Sequence, residues 1–146
     1  MDRSNASTSN AAARSAKSLL ECCAPYALSA LRIMAGLLFL EHGLSRLFAF
    51  PSPLPTPPFL TLYWFAGFIE LLGGGLVTLG LFTRAAAFVM SGEMAFAYFL
   101  SHAPRGFFPI LNNGDSAILY CFVFLYLAVA GGGALSLDAL LRRRRD

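Results

Sequence analysis

Glu70 and Glu93 each sit near the middle of an apolar run long enough to cross a bilayer, and Glu41 lies near the end of another. An ionised side chain at the bilayer centre costs about 2.5–3.5 kcal/mol on insertion scales. It is therefore kept mainly where it faces protein, an opposite charge or water, and it points to proton handling or ligand binding. Glu70, Glu93 and Glu41 are candidate proton-handling groups, although near a helix end Glu41 can reach the interface cheaply. His42 and His102 fall toward the same end of their helices and titrate near neutral pH, so they join this set. No HxxxH, HExxH or CxxC spacing occurs, and no metal site is expected. Adjacent Cys22 and Cys23, with Cys121 far away, suggest neither a disulfide framework nor a thiol redox pair.

The cations are the natural partners of these acids. Arg32 and Arg46 are 14 residues apart, which at 100° per residue returns to within about 40° of one direction, and His42 lies one turn before Arg46. These three share a face, and Glu41 points roughly opposite Arg32. Ala66, Glu70, Gly74 and Thr78 recur every four residues, a stripe suited to close helix contact. Ala85, Val89, Glu93, Ala97 and Ser101 repeat the pattern. The simplest assembly turns both glutamates toward the arginine face of the first helix. Such pairs also have a plain structural reading, as the satisfied interior of a bundle that fixes register.

The elements that must position these groups are membrane helices. Hydrophobic residues make up 57% of the 146-residue chain, charged residues 13%, and mean hydropathy is +0.63, whereas a soluble domain carries about 25% charge. Residues 1–18 form a Ser/Asn/Ala tract too poor in apolar groups to offset ordering, and a disordered cytoplasmic tail is expected. One membrane domain over residues 19–138 should contain helices at about 26–47, 61–82, 85–100 and 116–130. Arg32 and the lack of an A-x-A site argue against a cleaved signal peptide in the first run. Five prolines in residues 50–59 and the Pro/Gly-broken segment 101–115 mark loops. Residues 139–146 form a basic cytoplasmic tail. Arg3, Arg14 and Lys17 flank the first helix, Arg84 lies in the turn between the second and third helices, and Arg142 to Arg145 follow the fourth helix. The positive-inside rule then puts both termini in the cytoplasm. The expected fold is all-α, an integral membrane four-helix transmembrane bundle. The pI of 9.0 reflects this topology and attraction to anionic lipid, with no nucleic-acid role.

RIMAGLLFLEHGLSRLFAFP, AGFIELLGGGLVTLGLFTRAAAF and AYFLSHAPRGFFPILNNGDSAILYCFVFLYLAVAGGGALSLD, taken in order across residues 31–138, resemble successive blocks of the DoxX family. The resemblance implies a four-helix, multi-pass protein of the bacterial inner membrane. Its recurring polar positions correspond to Arg32, Glu41, His42, Gly43, Glu70, Thr83, Arg84, His102, Phe108, Pro109, Asn112 and Asp115. Asp115 stands where relatives often carry glutamate. Arg32, Arg84, Asn112 and Asp115 from this set, with Arg46 from the arginine face of the first helix, are the candidate ligand-binding residues. Family links to thiosulfate–quinone oxidation and to thiol or oxidative-stress complexes suggest a redox-associated subunit, quinone- or thiol-linked.

The sequence contains no Rossmann, haem or iron–sulfur motif, so no intrinsic cofactor is evident and electrons would pass through quinone or a soluble or membrane redox partner. Whether the chain is itself an enzyme is left open. A homo-oligomer in the lipid bilayer is also compatible. Two other classes fit the same residues: a small proton-coupled transporter using the buried acids, and a noncatalytic anchor or assembly subunit. Proton-driven uptake, or loss of function on Glu70→Gln and Glu93→Gln, separates them.

Overall fold

The computed structural model describes residues 3–52 and 56–144, with side chains from Lys17 onward. Residues 1 and 2 of the expected tail, Pro53 and Pro55 of the loop and Arg145 of the basic end lie outside the described residues. So do the side chains of Arg3 and Arg14. Among the described residues the chain is helical, with no strand: α1 (Arg3–Phe48), α2 (Leu62–Leu79), α3 (Thr83–Ala97), α4 (Pro109–Asn112), α5 (Asp115–Ala130) and α6 (Leu137–Arg143). A π-turn (Tyr98–His102) and a short 3-10 turn (Ala103–Arg105) carry α3 into the following loop.

Helix α1 differs most from the sequence expectation, for it runs back to Arg3 through the stretch expected as a disordered tail. Alanine is the best helix former, and extending a helix already nucleated downstream is far easier than starting one. The segments Lys17–Phe48 of α1 and Leu62–Leu79 of α2 are each long and apolar enough to cross a membrane, and α5 is apolar but shorter. At about 1.5 Å per residue α2 is about 27 Å long, close to the hydrocarbon thickness.

Helix α1 packs chiefly on α2, α3 chiefly on α5, and α2–α3 contacts join the two pairs. The first pair meets through glycines. A Cβ on Gly74 would lie 2.6 Å from the Leu40 nitrogen, and one on Gly43 would collide with the Leu71 backbone, so only glycine allows this approach. The stripe read from α2 therefore does face α1. The α3 stripe does not hold: Ala85 and Val89 are exposed, while Thr83, Ala86, Ala87, Met90, Ser91 and Met94 are buried. The partner of α3 is α5, where the Ser91 hydroxyl donates to the Cys121 carbonyl at 2.8 Å, and that contact rotates the helix. Glu93 is left at the edge of the buried face, half-buried.

Phe39, with Phe124 edge-on at 4.8 Å, joins α1 to α5 in the core. Outward, Leu37, Leu38, Phe68, Leu72, Phe88, Phe96, Phe122 and Val129 are exposed. An apolar belt on this scale suits lipid as solvent.

Candidate functional site

The polar groups separate into two ends. At one end the C-terminal half of α1 carries Arg46 to the middle of α2, where its guanidinium grips Glu70 as a fork: Nε donates to Oε2 at 2.9 Å and Nη2 to Oε1 at 3.0 Å. Glu70 is 2% exposed, whereas the Arg46 side chain is 32% exposed. Gly67, one turn before Glu70, leaves room for this arginine, since a Cβ there would come within 3.0 Å of Arg46 Cδ. A bidentate guanidinium–carboxylate pair is the geometry in which a buried acid is best compensated.

Arg46 also borders a cavity of about 330 Å³ closed by α2, α3 and the π-turn. Its polar lining is Arg46, Tyr63, Glu93, Ser101, His102 and Arg105, and Met94, Phe96 and Leu100 supply apolar wall. Glu93 is within electrostatic reach of both Glu70 and Arg46. Its Oε2 is buried and has no hydrogen-bond partner. The π-turn carries His102, which stacks beside Tyr98 and donates from Nδ1 to the Asn112 carbonyl at 3.0 Å, a bond that does not use Nε2. A second cavity, about 560 Å³, lies under the proline-rich loop and is lined by His42, Ser45, Arg46, Thr56, Pro57, Pro58 and Tyr63. Arg46 and Tyr63 border both cavities.

Several expected site residues are placed elsewhere. Among the described residues Arg32 forms no ion pair, and the carboxylate within its electrostatic reach is Asp138, which corrects its expected approach to the glutamates. It is 1% exposed and donates to the carbonyls of Val77, Thr78 (2.5 Å), Leu135 (2.6 Å) and Gly132 (2.8 Å). Val77 and Thr78 lie in the last turn of α2, and Gly132 and Leu135 in the glycine loop after α5, so this guanidinium caps the C-terminus of α2 and ties it to that loop. Arg84 does the same for α5, donating from Nη1 to the Val129 carbonyl at 2.7 Å. Asn112 is fully buried and ties the loop after α3, its amide donating to Gly106 and its side-chain oxygen accepting from the Gly114 N–H, each at 2.8 Å. Asp115 is exposed in the first turn of α5, where a carboxylate complements the helix dipole. Glu41 is exposed and borders neither cavity. His42 is exposed, with Nδ1 on the Leu38 carbonyl at 2.8 Å. Among the described residues no three His, Cys, Asp or Glu side chains gather as metal ligands.

Tyr63, Ser101 and Arg105 were absent from the residues singled out for the site. Arg105 falls three residues after His102, a signal visible in the SHAPR run, but its loop position hid which way it turns. Asp138 was also missed. It accepts from the backbone N–H groups of Phe82 and Thr83, both at 2.9 Å, and its own N–H donates to the Gly80 carbonyl at 2.9 Å. Burial pushes its carboxyl up, but the hydrogen bonds from Thr83 and Phe82 and the nearby Arg142 outweigh that and hold it below the usual range. These bonds secure the α2–α3 turn, in which Phe82 sits at φ 49.

An "Uncharacterized protein" of Haemophilus influenzae is 44% identical over 128 residues, covering 82% of this chain and 93% of that protein. No solved structure matches the chain significantly. A family model described as DoxX matches residues 27–103, from within α1's membrane segment to the residue after His102. With more than half its length matched and its long helices sheathed in apolar side chains, this chain belongs to the DoxX family, a family of membrane proteins.

Proposed function

We propose that the chain is a multi-pass protein of the bacterial inner membrane in which α1, α2, α3 and α5 form a four-helix transmembrane bundle with both termini cytoplasmic. On this reading it is a redox-associated subunit that binds a quinone head group in the cavity beside Glu93 and works with a thiol-oxidising partner. The observation that carries the reading is the Glu93 Oε2, buried without a hydrogen-bond partner in a residue that borders a cavity with Arg46 and His102. A cavity of about 330 Å³ falls within the range of small-molecule sites. Arg46 and Arg105 supply donors for quinone carbonyls. Reduction to quinol consumes two electrons, from the partner, and two protons, and Glu93 and His102 pass those protons to the ring oxygens. Glu70 holds the Arg46 fork in position.

The test is a quinone titration on purified protein in lipid nanodiscs, comparing wild type with Glu93→Gln and Glu70→Gln. Saturable binding by wild type, weakened in a folded Glu93→Gln variant, supports the reading. No saturation with short-chain ubiquinone or menaquinone sinks it. Because Arg46 and Tyr63 border two cavities, a proton-coupled transport reading also has support, and proton-driven uptake into proteoliposomes would favour it over the redox one.

A further inference from the structure

At the other end of the helices, away from the Glu93 cavity, α6, the α2–α3 turn and the glycine loop after α5 line an open cavity of about 430 Å³. Arg84 and Arg142 border it, together with Phe82 and Leu141. Neither arginine makes an ion pair within 4.0 Å among the described residues. Asp138 also borders the cavity and lies close enough to Arg142 to feel its charge, yet both its oxygens are already taken by the backbone of Phe82 and Thr83. Arg84 uses only Nη1 in hydrogen bonds to α5 carbonyls, which leaves the rest of the guanidinium fork for an oxyanion.

The surroundings of this cationic pair are apolar and open. Phe82 is 68% exposed and Leu141 48% exposed, and Leu137 and Leu140 are exposed on the same short helix. A helix that ends in arginines, presents leucines and lies at the end of a set of apolar helices fits the headgroup–acyl boundary. We infer that the cavity between α6 and the α2–α3 turn is a binding site for the phosphate of an anionic phospholipid, with Arg84 and Arg142 as its cations and Phe82 and Leu141 against its acyl chains. The apolar rim is what selects a lipid over free phosphate. The inference is independent of what binds beside Glu93.

The experiment uses the full chain in nanodiscs doped with spin-labelled phosphatidylglycerol or spin-labelled phosphatidylcholine, and reads the motionally restricted, protein-bound fraction. Wild type should retain phosphatidylglycerol over phosphatidylcholine by at least about fivefold, the factor that each cation near an anionic membrane surface contributes. Arg142→Gln removes no hydrogen bond to the fold and should bring the ratio toward one, whereas Arg84→Gln also uncaps α5 and serves only as a second variant. Millimolar inorganic phosphate should leave the ratio unchanged. Equal retention of both lipids by wild type, an undiminished ratio in Arg142→Gln, or displacement by inorganic phosphate would each overturn the proposal.

Discussion

The Arg46–Glu70 pair should be asymmetric when broken. Glu70 is 2% exposed, so Arg46→Met leaves a carboxylate buried with neither of its two donors at 2.9 and 3.0 Å. Removing one partner of a buried pair costs about 3–5 kcal/mol, most of it from the stranded charge. Glu70→Gln strands the arginine instead, but that side chain is 32% exposed and borders two cavities. It can turn toward polar surroundings, so the cost should be nearer one lost charged hydrogen bond, about 1.5–3 kcal/mol. The double variant strands no charge and should lose less than the sum, giving a coupling of about 2 kcal/mol in a double-mutant cycle. The assay is equilibrium unfolding in mixed micelles with increasing denaturing detergent, helicity being followed by circular dichroism. Additive single losses, or a Glu70→Gln cost equal to or above that of Arg46→Met, would refute the reasoning.

Two further outcomes follow from the opposite end. Arg32→Lys replaces a fork that reaches four carbonyls with a point charge bearing three donors. It should lower stability by about 2 kcal/mol while leaving quinone titration unchanged. A change in ligand binding without a change in thermal midpoint would return Arg32 to the ligand site. Asp138 has its carboxyl held low in the fold, so its contribution is full above the unfolded value of about 4 and is lost as pH falls further, through the folded value. An unfolding series from neutral pH down to about pH 3 should show wild type losing stability in the acid limb. Asp138→Asn should start about 1 kcal/mol lower, as for a lost helix cap, and show a shallower fall; parallel curves would contradict the assignment.

Much of the helical order was legible because apolar run length and proline or glycine breaks act locally. Helix α2 occupies Leu62–Leu79 where residues 61–82 were expected, and α5 occupies Asp115–Ala130 where 116–130 were expected. The α2 stripe was legible for the same reason, since small residues every fourth position allow close backbone approach whatever the partner. The α3 stripe misled because two small-residue faces compete on that helix, and only the seat against α5 chooses between them. The start of α1 was misread because composition weighs ordering against apolar burial and takes no account of a helix already nucleated downstream.

By itself the sequence determined that this chain is helical, apolar beyond the needs of a soluble domain, and furnished with acids deep in its apolar runs. Only the tertiary structure decided which charges meet. Arg32 and Arg46 lie on one face of one helix, yet one caps the end of α2 and the other forks onto Glu70. Helical periodicity gives direction around an axis, whereas a partner also depends on where the neighbouring helix ends. Arg32 arrives at the open carbonyls of an α2 terminus, and Arg46 arrives at its middle, where a carboxylate is the available acceptor.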